Sequence, residues 1–536
     1  MQPFKAAMLS VREAFYAAFL RSLLRTKSLL QTILNIWIGP RKLAKEPDAH
    51  SEGSSTQDGV EVLSQTKRRE VADFVEEVAR LFRDPTSRQN LVALSDGLKT
   101  QFEESLVDNA QCMLPSYQHQ LPTGDECGTY LALDVGGSTF RVALIELAGR
   151  GSESKVVRRS TIKIDATIKN LQGAAFFDWM AERIEDTISG QSEGHELNSA
   201  PLPMGLAWSF PIEQTSLRSG LVLGMGKNFM AAHGLIGQDL GDLIQNACSR
   251  KNLNVSLQAI VNDSSACLLA SAFTSHTPPT RLSLILGTGC NAAVHLPVSS
   301  FSPQKFGIRP SSWHSAATHV IVNTELSMFG GHLLPFTRWD RQLLVKHPRP
   351  DFQPLEYFVG GGYLGEIVRL VLIEAIETTG IFGGIVPAGL EEPYSLDTEI
   401  VSRIEADTTA NLTPSLTLFT NLYPTSYVYT HLDLSTLRHL ASHVIHRATA
   451  MIATGLYTLY LLRASTSSSI PAKMQIAYNG SVMEQYPGFQ ELAQHHLELL
   501  VGSKGVLTLV PADDSSLLGA AVAVACLDPD EVIKDL

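Results

Sequence analysis

No pair of cysteines at CxxC spacing occurs in this chain, and its six cysteines, Cys112, Cys127, Cys248, Cys267, Cys290 and Cys526, are scattered. Scatter argues for reduced thiols in a cytosol-facing, cytoplasmic protein and against a zinc site. A basic excess is missing too: the formal net charge of -12 argues against a general nucleic-acid surface. No run approaches the ~20 apolar residues of a membrane span, and no clear secretory signal is present. The glycosylation-type triplets at Asn254, Asn411 and Asn479 therefore have no secretory context and are read as chance. What remains is 536 residues of ordinary composition, 44% hydrophobic and 18% charged, enough for a large core and two lobes.

The first segment stands apart by its lack of acids. Between Met1 and Lys45 the bases are Lys5, Arg12, Arg21, Arg25, Lys27, Arg41, Lys42 and Lys45, against a single Glu13. Phe4, Met8, Val11, Phe15, Phe19 and Leu23 recur at helical spacing, giving an apolar stripe beside a basic face. That pattern suits a mitochondrial address or a helix on an anionic membrane, so residues 1–45 are expected to touch the mitochondrial outer membrane. Residues 46–65 are polar and read as a linker. The expected organisation is this segment and linker over 1–66, an N-terminal part with the small-lobe core over 67–270, and a large lobe over 276–528 whose last helix returns to the small lobe.

From Tyr130 onward, strand-like and helix-like segments alternate, which means α/β layers. "YLALDVGG" and "RVALIEL" read as paired strands, "FFDWMAERIEDTI" and "GQDLGDLIQNACSR" as helices, "PMGLAWSFP" and "LQAIVND" as strands. The stretch "LALDVGGSTFRVALIEL" is echoed by "LSLILGTGCNAAVHL". Both are strand, glycine turn, strand, and two such hairpins suit the gripping of one polyphosphate from opposite sides. Asp263, in "VND", ends a strand before an apolar helix, a position for a base that takes a proton from a hydroxyl, although spacing alone favours Asp263 or Ser264 as a cap of the next helix. Gly360, Gly362 and Gly365 match GxGxxG, but no βαβ unit with a ribose-binding acid surrounds them. The catalogue favours phosphoryl transfer to a small polyol over hydride transfer.

"MLPSY", "LPTGDECGTYLALDVGGSTFRV", "LAWSFPIEQTSLRSGLVLGMGKNF", "AIVNDSSACLLA", "LILGTGCNAAVH", "VNTELSMFGG", "YLGEIVRL", "IEADTT" and "YNGSVMEQYPGF" follow one another in the order seen in hexokinases. The chain resembles the hexokinase family from about residue 68 to 528, as a single divergent unit of fungal type with an N-terminal extension. The resemblance implies a two-lobed actin-like ATPase (ribonuclease H-like) fold with a central cleft, and transfer of the ATP γ-phosphoryl group to the 6-hydroxyl of a hexose such as glucose, the first step of glycolysis. It implies Asp263 as general base, with Lys227 and Arg141 as further catalytic groups. Ser209, Phe210, Lys227, Asn262, Asp263, Asn291, Glu325 and Glu366 would line the sugar pocket, a set of amides, hydroxyls and carboxylates suited to ring hydroxyls. Asp134 would orient Mg²⁺ through water. Gly136, Gly137, Ser138, Thr139, Arg141, Gly287, Thr288, Gly289, Gly480 and Ser481 would hold the nucleotide.

The chain departs from the family pattern mainly on the nucleotide side. Thr139 stands where asparagine is usual, Gly226 precedes Lys227 where threonine is usual, and Leu326 and Ser327 follow Glu325 in place of tryptophan and glycine. Asn479 replaces an aspartate, and Ser515, Ser516 and Leu517 replace Gly-Ser-Gly. A leucine in place of glycine is expected to hinder close approach to the nucleotide. Two readings follow: an active hexose kinase, and a hexokinase-like sugar-sensing regulator that transfers phosphate weakly or not at all.

Overall fold

The computed structural model describes residues 68–150, 152–189, 200–225, 229–231, 233–275, 277–466 and 472–527. The basic segment 1–45, the linker 46–65, Gly226 and Lys227 lie outside the described residues.

Two sheets organise the chain. In the five-stranded sheet the order is Lys155–Lys163, Thr139–Ala148, Cys127–Val135, Leu202–Trp208, Val255–Val261. The first two pairings are antiparallel and the last two parallel. In the six-stranded sheet His319–Asn323, Cys290–Pro297, Thr280–Leu286, Met474–Asn479 and Leu507–Pro511 repeat that sequence of pairings, with Leu114–Pro115 added at one edge. The echo between the two glycine hairpins in the sequence is therefore an echo between whole sheets.

The central strands are apolar on both faces because helices cover both. One face of the smaller sheet presents Leu131, Leu133 and Val135 to Phe176, Met180 and Ile184 of the helix Ala174–Ile188. The other presents Ala132, Ala143, Ala207 and Ala259 to the helices Asp263–Thr274 and Ser515–Ala525. Small side chains let these helices sit close. A Cβ added at Gly205 would lie 2.1 Å from the Ala520 carbonyl oxygen, and one at Gly519 would lie 2.0 Å from that of Ala266. Those two glycines set the depth at which the helix carrying Asp263 enters the molecule.

The lobe boundary expected between residues 270 and 276 needs correction. The helices Val71–Arg83 and Arg88–Val107 bury Phe74, Val78, Phe82, Leu91, Leu98 and Phe102 in the core of the six-stranded sheet. The larger sheet thus draws helices from before as well as after the strands of the smaller sheet, while the helix Ser515–Ala525 at the far end of the chain returns to the smaller sheet. The reason is amphipathicity: the stripe on Val71–Arg83 packs against the long helix His431–Thr466, which is buried on most of its faces. Within that core Arg447 forks onto Asp340 at 2.6 and 2.7 Å, with its guanidinium over the rings of Phe82 and Phe358.

Candidate active site

The ends of parallel strands deliver the chemistry. Asp134 lies one residue before the end of Cys127–Val135, Ser209 follows Leu202–Trp208, and Asn262 and Asp263 follow Val255–Val261. In open α/β sheets this carboxyl edge is where ligands bind. Hairpin register places Arg141 directly across from Asp134, and Arg141 Nη1 donates to Asp134 Oδ2 at 2.7 Å. Burial raises the Asp134 pKa to about 6; the Arg141 charge opposes that shift and the Asp263 charge adds to it.

Asp263 is the first residue of its helix, and the cap is Asn262, whose Oδ1 accepts from the Ser264 N–H at 3.0 Å. The cap is shared, because the Ser264 N–H is divided between Asn262 and Asp263, while the second Asp263 oxygen turns to Ser209. Asp263 Oδ2 accepts from Ser209 Oγ at 3.0 Å and its Oδ1 from the Ser264 N–H at 2.7 Å. Hydrogen bonds to a charged group contribute about 1.5–3 kcal/mol each, so the side chain is held in a fixed orientation.

From the larger lobe come Asn291, Asn323 and Glu325. Asn291 Nδ2 reaches Asn262 Oδ1 at 3.3 Å and Asn323 Oδ1 at 2.8 Å, and Asn323 Nδ2 reaches Glu325 Oε1 at 2.8 Å. Burial lifts the Glu325 pKa to about 6; the Asn323 hydrogen bond counters this, while Asp263 and Glu356 add to it. The charge of Asp263 is felt by Asp134 in one lobe and by Glu325 in the other, so the three acids lie within electrostatic reach.

The glycine turns keep their tips open. Ser138 and Thr288 are exposed, with Gly136 closed onto the Thr139 carbonyl at 3.0 Å and Gly287 onto the Gly289 carbonyl at 3.0 Å. The second turn is braced from behind, since the N–H groups of Gly361 and Gly362 donate to the carbonyls of Gly287 and Thr288. The GxGxxG spacing is thus a helix start packed under a turn. Gly289 has a further reason to be glycine: a Cβ there would lie 2.6 Å from Glu356 Oε2. Ser481, exposed at the first turn of its helix, stands beside Gly287, and the Gly480 N–H is taken by Glu484.

Two expected site residues are placed differently. Glu366 is 4% exposed and paired at 2.6 Å through both oxygens with Arg369, and it also accepts the Tyr394 N–H at 2.6 Å. Both Glu366 oxygens are engaged in a buried ion pair that braces the fold. A second acid, Glu356, accepts the Cys290 N–H at 3.0 Å beside Asn291 and acts electrostatically on Glu325. Sequence reasoning passed over it because "PLEYFVGG" has the look of an ordinary helix; ten residues separate it from Glu366, and only packing tells them apart. Phe210 is buried against Trp208 and Phe229 and supports the Ser209 loop from beneath. Leu517 is 1% exposed, its side chain in the core between the two helices, so it does not project toward a nucleotide. Asn479 Nδ2 donates to the Ala512 carbonyl at 3.0 Å, tying together two loops of the larger lobe.

Known proteins fit this geometry. Two family models, both described as hexokinase, match residues 75–273 and 281–526. Hexokinase-1 of Saccharomyces cerevisiae is 30% identical over 420 residues, covering 77% of this chain and 83% of its own. Hexokinase-5 of Oryza sativa subsp. japonica is 29% identical over 87% of this chain and 92% of its own. Among solved structures, a Schistosoma mansoni hexokinase complexed with glucose superposes with a TM-score of 0.71 at 24% identity, covering 86% of this chain and all of its own, a likeness of fold.

Proposed function

The chain belongs to the hexokinase family, and from that premise we propose that it transfers the γ-phosphoryl group of ATP to the 6-hydroxyl of a hexose, with glucose as first candidate. One observation supports the proposal above the rest: the Asp263 carboxylate, beyond the end of a parallel strand, is held by Ser209 Oγ and the Ser264 N–H within electrostatic reach of Asp134 and Glu325.

Asp263 accepts the proton of the 6-hydroxyl. The freed oxygen forms a bond to the γ-phosphorus as the bond to the β–γ bridging oxygen breaks, and ADP leaves with that electron pair. Asn262, Asn291, Glu325 and Glu356 hold the ring hydroxyls; Glu356 takes the place expected of Glu366, and Lys227 completes the set. The open turns at Gly136–Thr139 and Gly287–Gly289, with Ser481 and Arg141, bind phosphates through N–H groups, hydroxyls and one guanidinium, and Gly480 leaves room for that approach. Most of the catalysis is then positioning and charge neutralisation, and closure of the lobes excludes water as a rival acceptor.

Asp134 fits a magnesium ion held through water. It is a buried carboxylate whose charge is disfavoured where it stands, and a nearby cation would relieve that. Bound there, the ion would neutralise phosphate charge.

Among the described residues no helix is long and apolar enough to cross a membrane. Residues 1–45 are proposed to associate with the mitochondrial outer membrane through their basic, apolar-striped face. Residues 1–50 fused to a fluorescent protein are expected to mark mitochondria, and a diffuse signal would reject this.

Purified protein given glucose and MgATP in a coupled assay is expected to make hexose 6-phosphate. Absence of turnover, alongside stabilisation by glucose in thermal melts, would overturn the kinase reading in favour of a sugar sensor.

A further inference from the structure

Three asparagines and a glutamate form a directed chain across the cleft. Asn291 Oδ1 already accepts the Ala292 N–H at 2.7 Å, so its nitrogen faces Asn262 and Asn323. Asn323 must then turn its oxygen to Asn291 and its nitrogen to Glu325, because the reverse orientation would set two NH₂ groups against each other and an oxygen against a carboxylate. Glu325 itself sits at φ 50, a left-handed conformation that a side chain with a Cβ adopts only when its surroundings hold it. The Asn323 oxygen also receives the Glu325 N–H at 3.4 Å, so one amide contacts both the backbone and the side chain of that strained residue.

We propose that Asn323 is the positioning residue of the hexose site, aiming the Glu325 carboxylate into the cleft and coupling it through Asn291 to the Asn262–Asp263 corner. The inference rests on reading Glu325 as a hexose ligand, and it adds a residue outside the set read from the sequence. Asn323 acts through Glu325 and touches neither the phosphoryl group nor the reacting oxygen.

The electrostatics give it a signature. Asp263 and Glu356 face Glu325 with like charge, the thiols of Cys112 and Cys290 lie within its field, and burial adds to the penalty on its charged form. Asn323 supplies the opposing hydrogen bond. Removing that donor moves Glu325 protonation upward, into the neutral range, and weakens hexose binding most on the acid side.

The test compares Asn323→Ala and the isosteric Asn323→Asp, which keeps volume but exchanges the donor for an acceptor. At pH 7 the glucose KM is expected to rise about tenfold or more for alanine and further for aspartate, with kcat and the MgATP KM within about twofold of wild type; tenfold corresponds to about 1.4 kcal/mol. The acid limb of the glucose-affinity profile should move to higher pH by about one unit in Asn323→Ala. Calorimetric titration with glucose across pH 5.5–8 measures the same affinity without turnover. A wild-type protein that binds glucose but does not turn over would sink the kinase reading and leave this test standing. Unchanged glucose affinity in both variants would overturn the proposal. So would an equal fall in kcat, glucose affinity and ATP affinity with an unmoved pH profile, since that is the mark of a merely structural side chain.

Discussion

Asp263→Asn is expected to lower kcat by about 10²–10⁴ while glucose binding and the folded state persist. The substitution keeps shape: an asparagine oxygen can still accept from Ser209 Oγ or from the Ser264 N–H, the two donors that orient the carboxylate. What it removes is the site that receives the sugar's proton, and with it one negative charge that acts on both Asp134 and Glu325. Both of those acids should then ionise more readily, so any residual activity should persist to lower pH than in the wild type. Steady-state kinetics over pH 5–8, beside glucose titration calorimetry, reads all three consequences. A rate equal to wild type would remove Asp263 from the chemistry, and lost glucose binding would make it a ligand instead of a base.

The second large effect separates two glutamates ten residues apart. Glu366→Ala is expected to cost about 3–5 kcal/mol of stability, because it leaves Arg369, 2% exposed, as an uncompensated buried charge. Glu356→Gln is expected to melt close to wild type, since its amide oxygen can still accept the Cys290 N–H, and to raise the glucose KM by about tenfold or more. Thermal melts and glucose kinetics on the two variants give opposite patterns if the roles are as assigned. A stable Glu366→Ala protein with weakened sugar binding would return Glu366 to the pocket.

The erosion of the nucleotide side that the sequence suggests is milder in three dimensions. Leu517 turns into the core instead of outward, Asn479 takes up a loop-bracing bond, and both glycine turns keep exposed tips. With the polar groups around Asp263 assembled as well, these features favour catalysis over sugar sensing alone.

Much of this was legible in one dimension because it is local. The strand–glycine–strand segments fold as hairpins whose register alone sets Arg141 opposite Asp134. The helices over Ala174–Ile188 and Leu240–Arg250 follow from apolar spacing, and Asp263 sits at a strand end as its apolar run foretold. Order and spacing along the chain determined the family and the two glycine hairpins, and the family likeness pointed to Asp263 as the base we propose. Which sheet the helices at 71–107 covered, which of two glutamates entered a buried ion pair and where Leu517 pointed were decided only in the tertiary structure. Each is a choice between burial against one partner and burial against another, and that choice rests on residues hundreds of positions away: Phe82 meets Arg447, and Gly519 meets Ala266.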